Sequence, residues 1–195
     1  GPPSFSPYTA PPLRVGWPTS QRRHALINLC PMPDWSPFVV VEPGSRAPSA
    51  RSLESPFGVG DRLRSAAFAE AQAKEAFLWA ADHFESAPAE LRAAWKRLAD
   101  EEEKHLGWLL ARMEAIGAKV SERAVSDRLW HSLVSRTSAE EFTRYMAGAE
   151  DWGREAGEKF CEQLQEVDPE SAALFARIAK EELGHIAIAK RFFQD

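Results

Sequence analysis

Cysteine is nearly missing from this sequence: only Cys30 and Cys161 occur, in no metal-binding or redox spacing. Two thiols so placed exclude a disulfide framework and a rubredoxin-like electron-transfer site, and they read as a reduced pair in a cytoplasmic protein. No apolar run approaches the roughly 20 residues that span a bilayer, so no membrane segment is expected. Basic runs are also lacking. Residues 1–60 carry five Arg against one Asp and two Glu, a balance of +2, while residues 61–195 carry 19 basic and 26 acidic residues, a balance of −7. An acidic folded part without a basic patch speaks against a nucleic-acid partner held through phosphate neutralisation. The opening Gly1-Pro2, without an initiator Met, reads as the remnant of protease cleavage, which leaves room for a removed leader.

Proline is scarce over most of the chain because it is concentrated at one end. Twelve of the 14 prolines, Pro2 to Pro56, precede residue 57. That density rules out a long helix there and predicts an arm over 1–57, extended or wrapping the remainder. Within it QRRHALINL (21–29) predicts a short helix and PFVVVE (37–42) a short extended piece, both apolar enough to dock. Residues 58–195 change character to Ala, Glu, Leu and Lys at helical spacing, with no competing strand pattern. The spacing predicts helices over about 60–84, 89–116, 139–166 and 169–193, and a crossover over 117–137 with a short helix across 122–133. Pro88, the pair Asp168-Pro169, and Ser138 with Glu141 three residues on supply helix starts; Gly117 supplies a stop. Short turns make each flanking pair antiparallel. The crossover of roughly 21 residues reaches up to ~70 Å extended, against ~39 Å for a 26-residue helix, so it can run the length of a bundle. The expected fold is all-α: two antiparallel hairpins with one long crossover, the ferritin-like way to build a four-helix bundle.

Two segments carry chemistry. ADEEEKHLGW (99–108) and AKEELGHIAI (179–188) each contain Glu-x-x-His, and the halves superpose at an offset of 80. Glu70 falls on Glu150, Glu75 on Glu155, Glu101 on Glu181, Glu102 on Glu182 and His105 on His185. Each Glu-x-x-His therefore has a lone glutamate 32 positions upstream, on the partner helix of its own hairpin. At ~1.5 Å per residue, Glu70 and Glu102 both sit some 22–26 Å from the turn that joins their helices, hence at one level. Positions i and i+3 share a helix face, so each Glu and His can reach one point inside the bundle. With 21 glutamates and five histidines, about half of one such motif is expected by chance. Two, each with the same upstream glutamate, is a pattern.

Four carboxylates and two imidazoles cannot share a buried point without a counter-charge. A pair of divalent cations supplies it, and hard oxygen donors with two imidazoles suit iron or manganese better than zinc. The expected ligands are Glu70, Glu102 and His105 around one ion and Glu150, Glu182 and His185 around the other, with Glu102 and Glu182 as bridges. Glu101 and Glu181, one turn before the histidines, either accept the second imidazole proton or are solvated charge. Glu75 and Glu155 point about 140° away from the ligands in a regular helix and are read as ion-pairing residues; only a π-bulge brings them in. Glu103 is a neighbour without an i+3 partner. His24, His83 and His131 have no ligand partner at usable spacing or level. Trp79, Trp95, Trp108, Trp152 and Tyr145 are read as core, and Ala66, Ala67 and Ala73 around Glu70 either leave room for dioxygen or substrate or permit close helix packing.

The chain resembles a bacterial ferritin-like family, that of domain of unknown function 455. The resemblance lies in RAPSARSLESPFGVG (46–60), EAQAKEA (70–76), RLADEEEKH (97–105), DRLWHSL (127–133), AEDWGRE (149–155) and KEELGHIAI (180–188). It spans about 45–193 and leaves the first 40 residues outside. More distantly the pattern is similar to rubrerythrins, manganese catalases and the tRNA-hydroxylating di-iron enzymes. These readings together lead to an oxidoreductase with two iron ions, or a manganese–iron or di-manganese pair, acting on dioxygen or peroxide. It would be an oxygenase or hydroxylase of an unidentified substrate, supplied by an external electron donor, and a homodimer is compatible with it. Iron handling as a ferroxidase, or a non-enzymatic metal-stabilised interaction module, are the competing functions.

Overall fold

The computed structural model describes residues 32–193. Five helices follow in order: α1 Gly58–His83, α2 Ala89–Ala115, α3 Arg128–Val134, α4 Ala139–Leu164 and α5 Pro169–Phe192. No described helix is long and apolar enough to cross a membrane. Helix α1 pairs with α2 along their length, and α4 with α5. Both pairs are antiparallel: Arg92 near the start of α2 donates to Ala81 near the end of α1, whereas Arg64 near the start of α1 reaches the carbonyls of Lys119 and Val120 beyond the end of α2.

The boundary chemistry operates much as the residues suggest. Ser138 Oγ accepts from the Glu141 amide at 3.1 Å. The reciprocal half of that capping box shifts by one residue, because Glu141 accepts from Thr137 N–H and Oγ rather than from Ser138 N–H. Asp168 caps α5 through the Ser171 amide, with Pro169 in the first turn. Gly117 takes φ +70°, and the Gly117 and Ala118 amides return to the carbonyls of Glu114 and Met113, the two bonds of a Schellman ending.

The helix expected over 122–133 forms only in part. Val120–Glu122 make a 3₁₀ turn, and α3 begins at Arg128. Between them the backbone is committed elsewhere: Val125 forms a parallel bridge with Val40 of the arm, through Val41 N–H to Val125 O and Val125 N–H to Val39 O. The crossover is pinned from beneath by buried Gln72, which accepts from the Trp130 amide and donates to Ser126 O.

The described part of the arm lies along the bundle, and 37–42 docks as its apolar content suggests. Trp35 meets Phe68 and Trp130 edge-on at ring distances of 5.3 and 5.8 Å, and Phe38 meets Phe68 at 4.9 Å. A Cβ on Gly58 would run into the Ser52 carbonyl, so the entry of the arm into α1 requires glycine there. The segment 21–29 and Cys30 lie outside the described residues; Cys161 is a free thiol on α4.

The apolar interior is split into two slabs. One is built on Phe77, Phe84, Leu91, Trp95, Trp130, Phe142 and Met146. The other is built on Leu63, Phe68, Leu109, Met113, Leu164 and Phe175. Each buried side chain of this size contributes on the order of 1.5–3 kcal/mol. Buried alanines of α1, among them Ala67, Ala71, Ala76 and Ala80, let α2 approach closely, which favours the packing reading for Ala67.

A charged clasp closes one end. Asp61, 3% exposed, accepts from Arg64 Nη1 at 2.8 Å and from Arg51 through its amide, Nε and Nη2. Burial opposes its ionisation, but the two guanidiniums outweigh it and hold the carboxyl at about 2. A depressed acid adds stability above its unfolded value of about 4 and loses it as pH falls toward 2. Asp61→Ala removes the nearer carboxylate of the buried Arg64 guanidinium and leaves it only the part-exposed Glu122 at 3.2 Å, which is expected to destabilise the fold by ~1–3 kcal/mol in urea unfolding. Arg51→Ala, at the more exposed end of the same clasp, is expected to lose less than Asp61→Ala does, because solvent screens its charge.

Candidate metal centre

Between the two apolar slabs all four long helices carry polar groups inward. On α1 the break falls at Glu70, on α2 at Glu102 and His105, on α4 at Glu150, and on α5 at Glu182 and His185. Glu102 and His105 are fully buried, Glu182 and His185 are each 3% exposed, and Glu150 is 8% exposed. Glu70 is the most open of the six.

The six groups converge in two overlapping sets. Glu70, Glu102, His105 and Glu182 bring one donor atom each to within 4.8 Å of one another, and Glu102, Glu150, Glu182 and His185 do the same. Glu102 and Glu182 belong to both sets, the placement expected of bridging groups. His105 Nδ1 lies 3.2 Å from Glu182 Oε1 and 3.7 Å from Glu70 Oε2. His185 Nδ1 lies 2.8 Å from Glu102 Oε1 and 3.1 Å from Glu182 Oε2. Despite these distances, neither Nδ1 and no carboxylate oxygen of Glu102 or Glu182 makes an aligned hydrogen bond. A buried polar group without a partner costs ~1–3 kcal/mol, and here several stand together. The donor set is all carboxylate oxygen and imidazole nitrogen, which fits hard or borderline divalent cations.

The outer nitrogens are occupied. His105 Nε2 lies 3.0 Å from Glu181 Oε2, and His185 Nε2 lies 2.8 Å from Glu101 Oε2. Glu101 and Glu181 therefore accept the second imidazole proton, but each does so across the bundle from the histidine of the opposite half. This crossing was not apparent in the sequence, where each lies one turn before the histidine of its own helix. It leaves Nδ1 bare toward the interior and ties α2 to α5. The two rings stack 5.8 Å apart at 19°.

The remaining sequence candidates lie elsewhere. Glu75 pairs with Lys74, and so does Glu103. Glu155 is exposed, and α1 and α4 are α-helical throughout, without the π-bulge that would turn either residue inward. His83 stacks on Trp79 at the far end of α1, and His131 pairs with Asp127 on the crossover. His24 lies outside the described residues. Sequence reasoning missed Lys104, Arg177 and Trp108 as a unit: Lys104 Nζ lies 2.7 Å and Arg177 Nε 3.5 Å from Glu181, and both cations sit over the Trp108 ring.

Protonation in the absence of a cation follows from the same crowding. Burial, and then the neighbouring Glu102 charge, drive the Glu70 carboxyl well above its ordinary range; burial with Glu182 and Glu102 does the same to Glu150. Burial also opposes ionisation of Glu102 and Glu182, but the acid and imidazole protons around them outweigh it, and both carboxyls lie below their ordinary range. The same carboxylates overcome burial to push His105 up to about 12 and His185 to about 11. The shifts thus run in opposite directions across the layer: both imidazoles are driven toward their protonated form, Glu102 and Glu182 toward the ionised form, and Glu70 and Glu150 toward the neutral acid.

An all-helical bundle with a buried Glu/His cluster that can hold metal is the class the fold and site define. The chain belongs to the family described as "Protein of unknown function (DUF455)", whose model matches residues 17–195. That match extends the resemblance well beyond residue 45 into the proline-rich arm, consistent with the arm sharing aromatic contacts with α1 and α3. No curated protein and no solved structure matches the chain.

Cation binding requires deprotonated ligands, so uptake of two divalent ions at pH 7 is expected to release about two protons from His105 and His185, together with any held by the raised acids Glu70 and Glu150. Affinity then falls as pH falls, because protons compete for the same atoms. Calorimetric titration in two buffers of different ionisation enthalpy measures the release; a value near zero would contradict this protonation pattern.

Proposed function

We propose that this chain is a dinuclear-metal oxidoreductase of ferritin-like architecture, with iron as its metal pair, that activates dioxygen or peroxide. The observation that carries the proposal is the convergence of six buried donors from four helices, with both Nδ1 atoms and both central carboxylates lacking hydrogen-bond partners. Glu70 and His105 would hold one ion, Glu150 and His185 the other, and Glu102 and Glu182 would span the two. Bound there, a pair of redox-active ions supplies electron exchange with dioxygen or peroxide that no side chain of this chain can supply.

The protein's own contribution is positional and electrostatic. Four carboxylates balance two divalent charges, so the loaded layer would be neutral. The apolar slabs on either side keep water from the interior and strengthen every charge interaction within it. Glu101 and Glu181 hold the imidazole rings with Nδ1 facing inward. Glu70 and Glu150, on α1 and α4, are the least buried of the six. Cysteine-ligated electron carriers do not occur in the sequence, which makes the electron donor an external one.

Protein purified from metal-replete cells is expected to carry close to two ions per chain by mass spectrometry, falling by more than half in Glu102→Ala and in His185→Ala. Mixing the anaerobic ferrous protein with dioxygen is expected to produce a transient or lasting near-ultraviolet absorbance absent from both variants. Metal content unchanged by the substitutions would remove the site; full metal content without any oxygen-dependent absorbance would remove the oxidative function.

A further inference from the structure

The geometry points to two inequivalent halves of the metal layer, with the His185 half taking up a divalent cation first because Lys104 places an uncompensated asymmetry of charge beside the His105 half. This inference rests on the dimetal reading above and concerns which half is stronger.

The two outer carboxylates look equivalent in the internal repeat, but their surroundings differ. Glu181, which caps His105, is held by Lys104 at 2.7 Å and by Arg177 at 3.5 Å. Trp108 lies beneath both, with the Arg177 guanidinium 3.7 Å and the Lys104 ammonium 5.1 Å from its ring centre. Glu101, which caps His185, has no cationic partner other than that ring among the described residues. The offset of 80 explains why. The counterpart of Lys104 is Gly184, and the counterpart of Trp108 is Ile188. Arg97 does repeat Arg177, but without an aromatic platform it stays exposed and makes no ion pair with Glu101.

The consequence is electrostatic. A full carboxylate charge on Nε2–H makes His185 the stronger donor at Nδ1. On the other side, Lys104 and Arg177 neutralise Glu181, weaken its hold on the His105 proton, and repel a second divalent charge at short range. Outer-carboxylate effects of this kind change metal affinity by about 10–100-fold. The layer would therefore load in order.

The position of Gly184 permits a reciprocal test. A Cβ there meets no atom within 4 Å, and lysine within a helix is favoured over glycine, so the helix face accepts Gly184→Lys, which supplies the missing cation. Mn²⁺ is the probe, titrated anaerobically and followed by electron paramagnetic resonance together with calorimetry; circular dichroism confirms that each variant is folded. Wild-type protein is expected to accumulate a mononuclear Mn²⁺ signal near one equivalent, with stepwise constants differing about tenfold or more. Lys104→Met is expected to tighten only the weaker step, and Gly184→Lys to loosen only the tighter one; either change diminishes the mononuclear signal. Two ions bound without mononuclear accumulation, or a Lys104→Met effect confined to the tighter step, overturns the ordered loading while leaving the dimetal reading intact. No Mn²⁺ uptake by any form overturns both.

Discussion

Everything in this fold accommodates one electrostatic constraint: four carboxylates and two imidazoles occupy a single buried layer with apolar slabs on both sides. Such a layer is stable only if its charge sums to nearly zero. Imidazole protons and the raised acids reduce the charge in one state, and two divalent cations would cancel it in another. The barrier between water and the layer is the pair of slabs, so the constraint and the core are inseparable. A surface cluster of the same composition would need neither.

That constraint accounts for the architecture around it. The donors come from four separate helices, and their levels must agree. Two antiparallel hairpins with matched arm lengths bring Glu70 to the height of Glu102, and Glu150 to the height of Glu182. The crossover must then travel the length of the bundle. It does so as a 3₁₀ turn, an extended stretch and a short helix, fastened by Gln72 below and by the arm above. Arg64, Asp61 and Arg51 lock the arm to the base of α1, so the proline-rich strap and the helices share one charged clasp. The crossed pairs Glu101–His185 and Glu181–His105 join the hairpins at the layer itself.

What was legible in the residues is what depends on local periodicity. The i, i+3 spacing, the repeat of 80 and the capping residues carry helix limits and the identity of the six convergent groups, since each follows from geometry within one helix or one hairpin. What was not legible depends on packing between distant segments. The crossing of Glu101 and Glu181 follows from how α2 lies against α5. The break in the crossover at Val125 follows from its pairing with Val40, some 85 positions earlier. The seating of the arm through Trp35 and Phe38 against Phe68 has the same origin. Lys104 and Arg177 look like ordinary solvated charges in the sequence; only the Trp108 platform, shared by two helices, makes them a unit.

The central claim concerns where cations reside, and diffraction locates them most directly. Crystals grown with Mn²⁺ or Fe²⁺ and measured at the metal absorption edge are expected to show two anomalous peaks inside the bundle. One should lie between His105 Nδ1 and Glu70, the other between His185 Nδ1 and Glu150, with Glu102 and Glu182 between the peaks. An empty layer, or anomalous density confined to the outer helix faces, would contradict the account.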